Sequence, residues 1–249
     1  KGTSIVDRWF GKSVISSHER LTYDQADAAL TNAEHPLHAT LSSLWSFAKH
    51  LRTRRSELGS IMFDRDELRP ILNEKKEVAG FTRTRHTESH QLIEELMLLA
   101  NREVASLASK KLGKKNRVFI YRVHDAPNMD KLEDLSVFLR AIGYQLSLPS
   151  KRASQKDINA MLASIKGAPE ERLISTATIR SMARAEYSTK NIGHFGLSFG
   201  DYATFTSPIR RYPDISVHRV LSSILANIPV TDEPQVIQER AVHASEREA

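Results

Sequence analysis

The sequence predicts a helix-rich mixed α/β fold of the α+β kind, in one domain. Three observations carry that prediction. Apolar residues recur at helical spacing over several long stretches. One strand–turn–strand pattern interrupts them near residues 67–84. The 249 residues are 40% apolar and 27% charged, an ordinary globular balance that excludes disordered and fibrous classes. No stretch approaches the roughly 18 uncharged apolar residues of a membrane span, so no membrane association is expected. The absence of cysteine excludes disulfide scaffolds, thiolate metal sites and cysteine nucleophiles, and fits a reducing compartment. No signal peptide is visible at Lys1–Phe10, and a cytoplasmic location is expected. Lys and Arg total 36 against 30 Asp and Glu, a net +6 that suits a polyanionic partner without requiring one.

Each element follows from local pattern. The alternation of Ile5, Asp7 and Trp9, then Val14 and Ile15, reads as a strand within a sheet. Thr22 with Gln25 three residues later forms a capping box, which starts a short helix at Tyr23 that runs to about Leu30. His35-Pro36 breaks the pattern. Leu37, Leu41, Leu44, Ala48 and Leu51 then give an amphipathic helix to about Ser56. Glu67–Leu72, a polar turn at Asn73–Lys76 and Val78–Thr84 read as a hairpin, although the favoured Asn-Gly turn pair is missing. Ser89–Lys111 is the strongest helix, apolar across more than one stripe and so buried on two sides. Arg117–Val123 is β-rich, His124–Pro127 is a loop, and the next helix is ended by Gly143. Two further helices are expected at Ser154–Lys166 and Glu170–Glu186. Asn191–Gly200 is extended and punctuated by glycine. Ser207-Pro208 has the form of a helix start, with Ser207 as N-cap, and Pro213 must kink that helix or reset its start. The chain ends within a helical pattern, and both ends read as cuts through a larger protein.

The densest polar cluster is Tyr202–Arg219. A helix N-terminus offers free N–H groups and positive partial charge, which suits a phosphate. Arg210 and Arg211 beside it oppose the helix dipole unless an anion sits between them, or unless they pair with an acid such as Asp214. Asp214 and His218 share a helical face; an intrahelical hydrogen bond and a metal pair are both open. His194, between Gly193 and Gly196, reads as a base, a ligand or a buried hydrogen-bonded histidine. Of Glu94 and Glu95, at least one should face inward among Ile93 and Met97, unless both point outward beside Arg102. Tyr23 and Phe63 are core aromatics by default. Lys110–Lys115 is a basic helix tip.

The segment Gly193-His-Phe-Gly-Leu197, with Tyr202, Phe205-Thr-Ser-Pro-Ile-Arg-Arg-Tyr-Pro-Asp214 and His218-Arg219, closely resembles the signature of the RNB domain of the ribonuclease II / ribonuclease R family. Ser16–Tyr23, Leu92–Asn101 and Tyr121–Pro127 resemble further family segments in the same order, and the double-arginine form is closer to ribonuclease R. The resemblance implies a 3′→5′ exoribonuclease that degrades single-stranded RNA processively to nucleoside 5′-monophosphates, with magnesium as cofactor. It implies that catalytic Arg210 contacts phosphate at the scissile end, with Arg211 and His194 on the substrate beside it. Phe63 would stack on the 3′-terminal bases, Tyr23 and Glu94 would lie near the terminal nucleotide and its sugar, and Glu246 would approach the active site. The family's magnesium-binding aspartates have no counterpart in this chain and are expected upstream of Lys1. Cold-shock and S1 RNA-binding domains are also absent, so residues 1–249 are expected to be part of an RNB domain, inactive alone. The partner is the 3′ end of single-stranded RNA, with no obligate protein partner. The alternatives are an RNA-binding protein that keeps the RNB shape without turnover and, more remotely, a DNA exonuclease.

Overall fold

A computed structural model describes residues 5–63, 67–84, 86–113, 117–148 and 154–248. The chain divides into two compact units, one of Lys1–Arg54 and Met62–Met97, the other of Arg55–Ile61 and Leu98–Ala249. Helix α1 is Tyr23–Thr31 and α2 is His38–Glu57; strands β1 and β2 are Glu67–Leu72 and Val78–Thr84; α3 is Glu88–Leu112. Then follow β3 (Tyr121–Val123), α4 (Met129–Ala141), α5 (Gln155–Ser164), α6 (Glu171–Ser181), β4 (Glu186–Ser188), α7 (Tyr212–Ala226) and α8 (Pro234–Arg247).

In the first unit the capping box of α1 forms in both directions. Gln25 N–H donates to Thr22 Oγ1 at 3.3 Å, and Thr22 N–H donates to Gln25 Oε1 at 2.8 Å. The β1–β2 hairpin pairs Glu67 with Thr84 and continues to Leu72 with Val78, with a bulge between Ile71 and Leu72. Its turn is built without Asn-Gly. Asn73 Oδ1 accepts from the N–H groups of Lys75 and Glu77, each at 2.9 Å, and Lys76 takes the left-handed conformation at φ 61°. Residues 5–21 form no strand, contrary to the alternating pattern, and Val6, Trp9, Val14 and Ile15 are exposed. Alternation states which face a strand would bury; only a partner's hydrogen-bond ladder makes the strand.

The second unit has two cores that matter here. Leu132, Leu135 and Leu139 of α4 close on Met161, Ile165 and Ile174 from α5, the turn after it and α6. Ile120, Tyr187, Ile237 and Ala241 join the β3–β4 pair to α8. The helix expected to run to Glu186 stops at Ser181, and Glu186–Ser188 pairs antiparallel with β3 instead. Tyr187 N–H also donates to Ser245 Oγ at 2.8 Å, which fixes α8 across the strand. Helix α7 begins at Tyr212 with Pro213 in its first turn, so Pro213 resets the start and Ser207 is not the N-cap. The sequence-predicted tip Lys110–Lys115 continues beyond the described residues at 114–116. No helix of the described residues is long and apolar enough to cross a membrane.

Candidate functional site

The segment before α7 is held from both sides. Asn101 of α3 donates from Nδ2 to Tyr202 Oη at 3.2 Å and accepts the Phe205 N–H at Oδ1, at 3.0 Å. His218 of α7 reaches back to the Phe205 carbonyl at 3.0 Å and stacks on the Phe205 ring at 4.1 Å between centroids. His218 is therefore engaged with Phe205, and Asp214 with other groups; the two do not bond to each other.

Asp214 is fully buried and organises the arginine turn. Its Oδ2 accepts from Ser207 N–H at 2.7 Å, from Arg211 Nη2 at 2.8 Å and from Arg211 Nε at 3.2 Å. A buried carboxylate is tolerable only with such partners, and its negative charge suits the first turn of α7. Of the two arginines, Arg211 takes the pairing with Asp214. Arg210 stands two residues ahead of the helix, exposed, with no side-chain partner among the described residues. Its guanidinium presents five donors in a planar fork that fits a phosphate.

Arg210 and Arg211 line a cleft of about 690 Å³ together with Tyr212, Arg240, Arg247 and Glu248. Glu248 caps α8 and pairs with Arg122, whose guanidinium lies over the Tyr187 ring at 4.6 Å from its centroid. Its charge is thereby offset, so the lining has a cationic excess. Glu248 lines this cleft and Glu246, two residues earlier, does not. The sequence reading passed over Glu248; the helix-face spacing of residues 240, 244 and 248 is the signal that marks it.

His194 lies in a different cleft of the same unit, of about 880 Å³, which His124 and Lys190 also line. His194 Nδ1 accepts from Leu197 N–H at 3.2 Å and caps the 3₁₀ turn Phe195–Leu197. Its pKa is pushed down to about 3, first by burial and then by His124 and Arg122 nearby. His124 is also lowered, chiefly by burial. Its Nε2 donates to the Ala183 carbonyl at 2.8 Å while Nδ1 accepts from Gly196 N–H at 2.9 Å, an arrangement only the neutral ring can make. A Cβ at position 196 would sit 3.0 Å from that Nδ1, which accounts for the glycine.

A pH dependence follows. Both folded pKa values lie below the unfolded value near 6.5, so the unfolded chain binds more protons. Stability is full above about pH 6.5 and is lost as the pH falls toward about 3. The melting temperature should therefore fall steeply between pH 7 and pH 4, and His194→Asn should flatten that fall by calorimetry. Equal slopes for both proteins would show that His194 does not carry it.

In the first unit, Tyr23 is 44% exposed and one ring face stacks on His90, with centroids 3.7 Å apart and planes 19° apart. His90 Nδ1 is held by Thr87 Oγ1 at 2.7 Å. Glu94 faces His86, with Oε2 at 3.4 Å from Nε2. Glu95 is the buried member of the acidic pair. Phe63 is half-buried just after α2. Among the described residues no three carboxylate or histidine side chains gather into a metal-holding group. Asp214 commits Oδ2 to Ser207 and Arg211 while its Oδ1 is buried without a hydrogen bond, and with no such group around it the described residues do not fit a magnesium site.

Comparison with known proteins agrees with this layout. Ribonuclease R of Aquifex aeolicus is 38% identical over 246 residues, which cover 95% of this chain and 34% of that protein. The chain thus spans about one third of that relative's length. Mycoplasma genitalium RNase R, solved with ribose-methylated single-stranded RNA, matches in fold with a TM-score of 0.80 at 22% identity, covering 91% of this chain and 36% of that one. Yeast Ssd1, described as a pseudonuclease, matches with a TM-score of 0.72 at 21% identity over 96% of this chain and 29% of its own. The RNB domain matches residues 1–227, a range that holds the arginine turn, the histidine pair and the Tyr23 stack, and the chain belongs to the RNB domain family.

Proposed function

We propose that this chain is the arginine-bearing part of an RNB exoribonuclease that hydrolyses single-stranded RNA from its 3′ end, processively, to nucleoside 5′-monophosphates. In each cycle water adds to phosphorus and the P–O3′ bond breaks, leaving a 5′-monophosphate and a new 3′-hydroxyl. The observation that carries the reading is Arg210: an exposed guanidinium without a side-chain partner among the described residues, on a cleft with a cationic excess. Arg210 would hold the non-bridging oxygens of the scissile phosphate and offset the charge that grows there. Arg211, locked by Asp214, would add fixed positive charge beside it.

Tyr23, with one ring face already covered by His90, would offer the other to the terminal nucleotide. Phe63 would stack on a terminal base, a contribution of about 1–3 kcal/mol per base that tolerates any sequence. Glu94 would accept from the sugar, including the 2′-hydroxyl that separates RNA from DNA. His194 and Glu246 remain substrate-side candidates on the family resemblance alone. Dependence on magnesium would reside in residues other than the described ones, which do not fit the ion.

A second reading, RNA binding without turnover, is favoured by the fold shared with the pseudonuclease Ssd1. The longer protein that carries this chain separates the two when incubated with 5′-labelled single-stranded RNA, with magnesium and with EDTA. Mononucleotides and a short limit product with magnesium alone are expected. Bound but intact RNA in both tubes would select the second reading, and equal digestion of DNA would remove the sugar role of Glu94.

A further inference from the structure

We propose that the cleft-facing side of α8 is a second phosphate-binding wall, taking the RNA phosphate next to the one that Arg210 holds. The inference rests on the reading of Arg210 given above. It concerns a helix, Pro234–Arg247, that lies beyond the residues matched to the RNB domain.

The wall follows from how α8 is anchored. Ile237 and Ala241 bury against Ile120 and Tyr187, and Ser245 accepts the Tyr187 N–H, so one stripe of the helix is committed to the sheet. The neighbouring stripe must then carry Arg240, His243 and Arg247, spaced three and four residues apart, and all three line the arginine cleft. Arg240 is steadied by Asp232, with Nη1 at 3.3 Å from Oδ1. Arg247 is exposed and has no side-chain partner among the described residues. A helix that needed only to cover the sheet would gain nothing by gathering arginines opposite Arg210 and Arg211, since like charges repel. A polyanion between the two walls removes that repulsion. A mononucleotide offers one phosphate and can be held by the Arg210 side alone, whereas an RNA strand offers a second phosphate to α8.

The test is the salt dependence of binding of a fluorescent 12-residue oligoadenylate, and of AMP, to this chain in EDTA, measured by anisotropy and calorimetry. For single strands each phosphate contact contributes about 0.7 to the slope of log K against log salt. Arg247→Gln and Arg240→Gln are each expected to lower the slope by about 0.7 and to weaken oligonucleotide binding at least fivefold, with AMP binding unchanged. Arg247→Lys, which keeps the charge, should retain the slope. Arg172→Ala, a charge removed on α6 away from the cleft, should also leave the slope unchanged. Melting temperatures verify folding, and the exposure of Arg247 makes its variants safe in that respect. Unchanged slopes in both glutamine variants would overturn the wall, as would an equal loss in Arg172→Ala. Loss of AMP binding alone would reassign the wall to the mononucleotide and overturn it too. The reading of Arg210 is judged separately, by turnover in the longer protein, so either can fail while the other is identified.

Discussion

Replacing Arg210 with alanine in the longer protein should lower the rate of RNA hydrolysis by at least about 100-fold while weakening RNA binding by less than about tenfold. The asymmetry has a physical cause. On the proposed reading, the strand would lose one of several ground-state contacts, whereas the developing charge of the transition state would lose a donor aimed at it. Removal of one such donor typically costs about 100- to 1,000-fold in turnover. Lysine should restore only part of the loss, because a point charge cannot reproduce the planar fork. Single-turnover kinetics beside equilibrium binding separate the two quantities. Turnover within threefold of wild type would remove Arg210 from the chemistry.

The largest stability effect is expected at Asp214. Alanine there leaves the Ser207 N–H and the half-buried Arg211 guanidinium without their acceptor. Breaking a buried ion pair from one side costs about 3–5 kcal/mol. For a chain of this size that corresponds to a fall of roughly 6–20 °C in melting temperature. Asparagine keeps an acceptor for Ser207 and should cost markedly less. Since Asp214 also aims the turn that carries Arg210, Asp214→Asn should lower turnover more than it lowers stability. A melting temperature within 2 °C of wild type for Asp214→Ala would show that the turn is held by Asn101 and His218 without it.

Elements whose cause is local were legible in the residues. The Thr22–Gln25 box states where α1 starts, and the two β-rich runs around Asn73 state the hairpin and its span. The apolar period of residues 89–111 states α3 to within a residue at each end. The signature around Arg210 was equally readable, because a proline, two arginines and an aspartate in fixed order carry their chemistry in one dimension. What was misread depends on a partner distant in the chain. Residues 5–15 alternate as a strand does, yet a strand is defined by the ladder it joins. Glu186–Ser188 continues a helical composition, yet β3 and Ser245 draw it into a sheet. At α7 the reset by Pro213 was legible in the residues, whereas the capture of Ser207 and Arg211 by Asp214 was not.

The same division holds for the candidate site. Composition and periodicity were enough for the fold class, and the resemblance of the motifs around Arg210 was enough for the RNB family. They left open which arginine is spoken for and which of Glu94 and Glu95 is buried, and they pointed to Glu246 where Glu248 lines the cleft. Those answers depend on hydrogen-bond partners and helix faces set by packing across more than a hundred residues, as between Arg122 and Glu248. Side-chain type is encoded locally, whereas burial and pairing are energies of the whole fold, and only the folded chain can assign them.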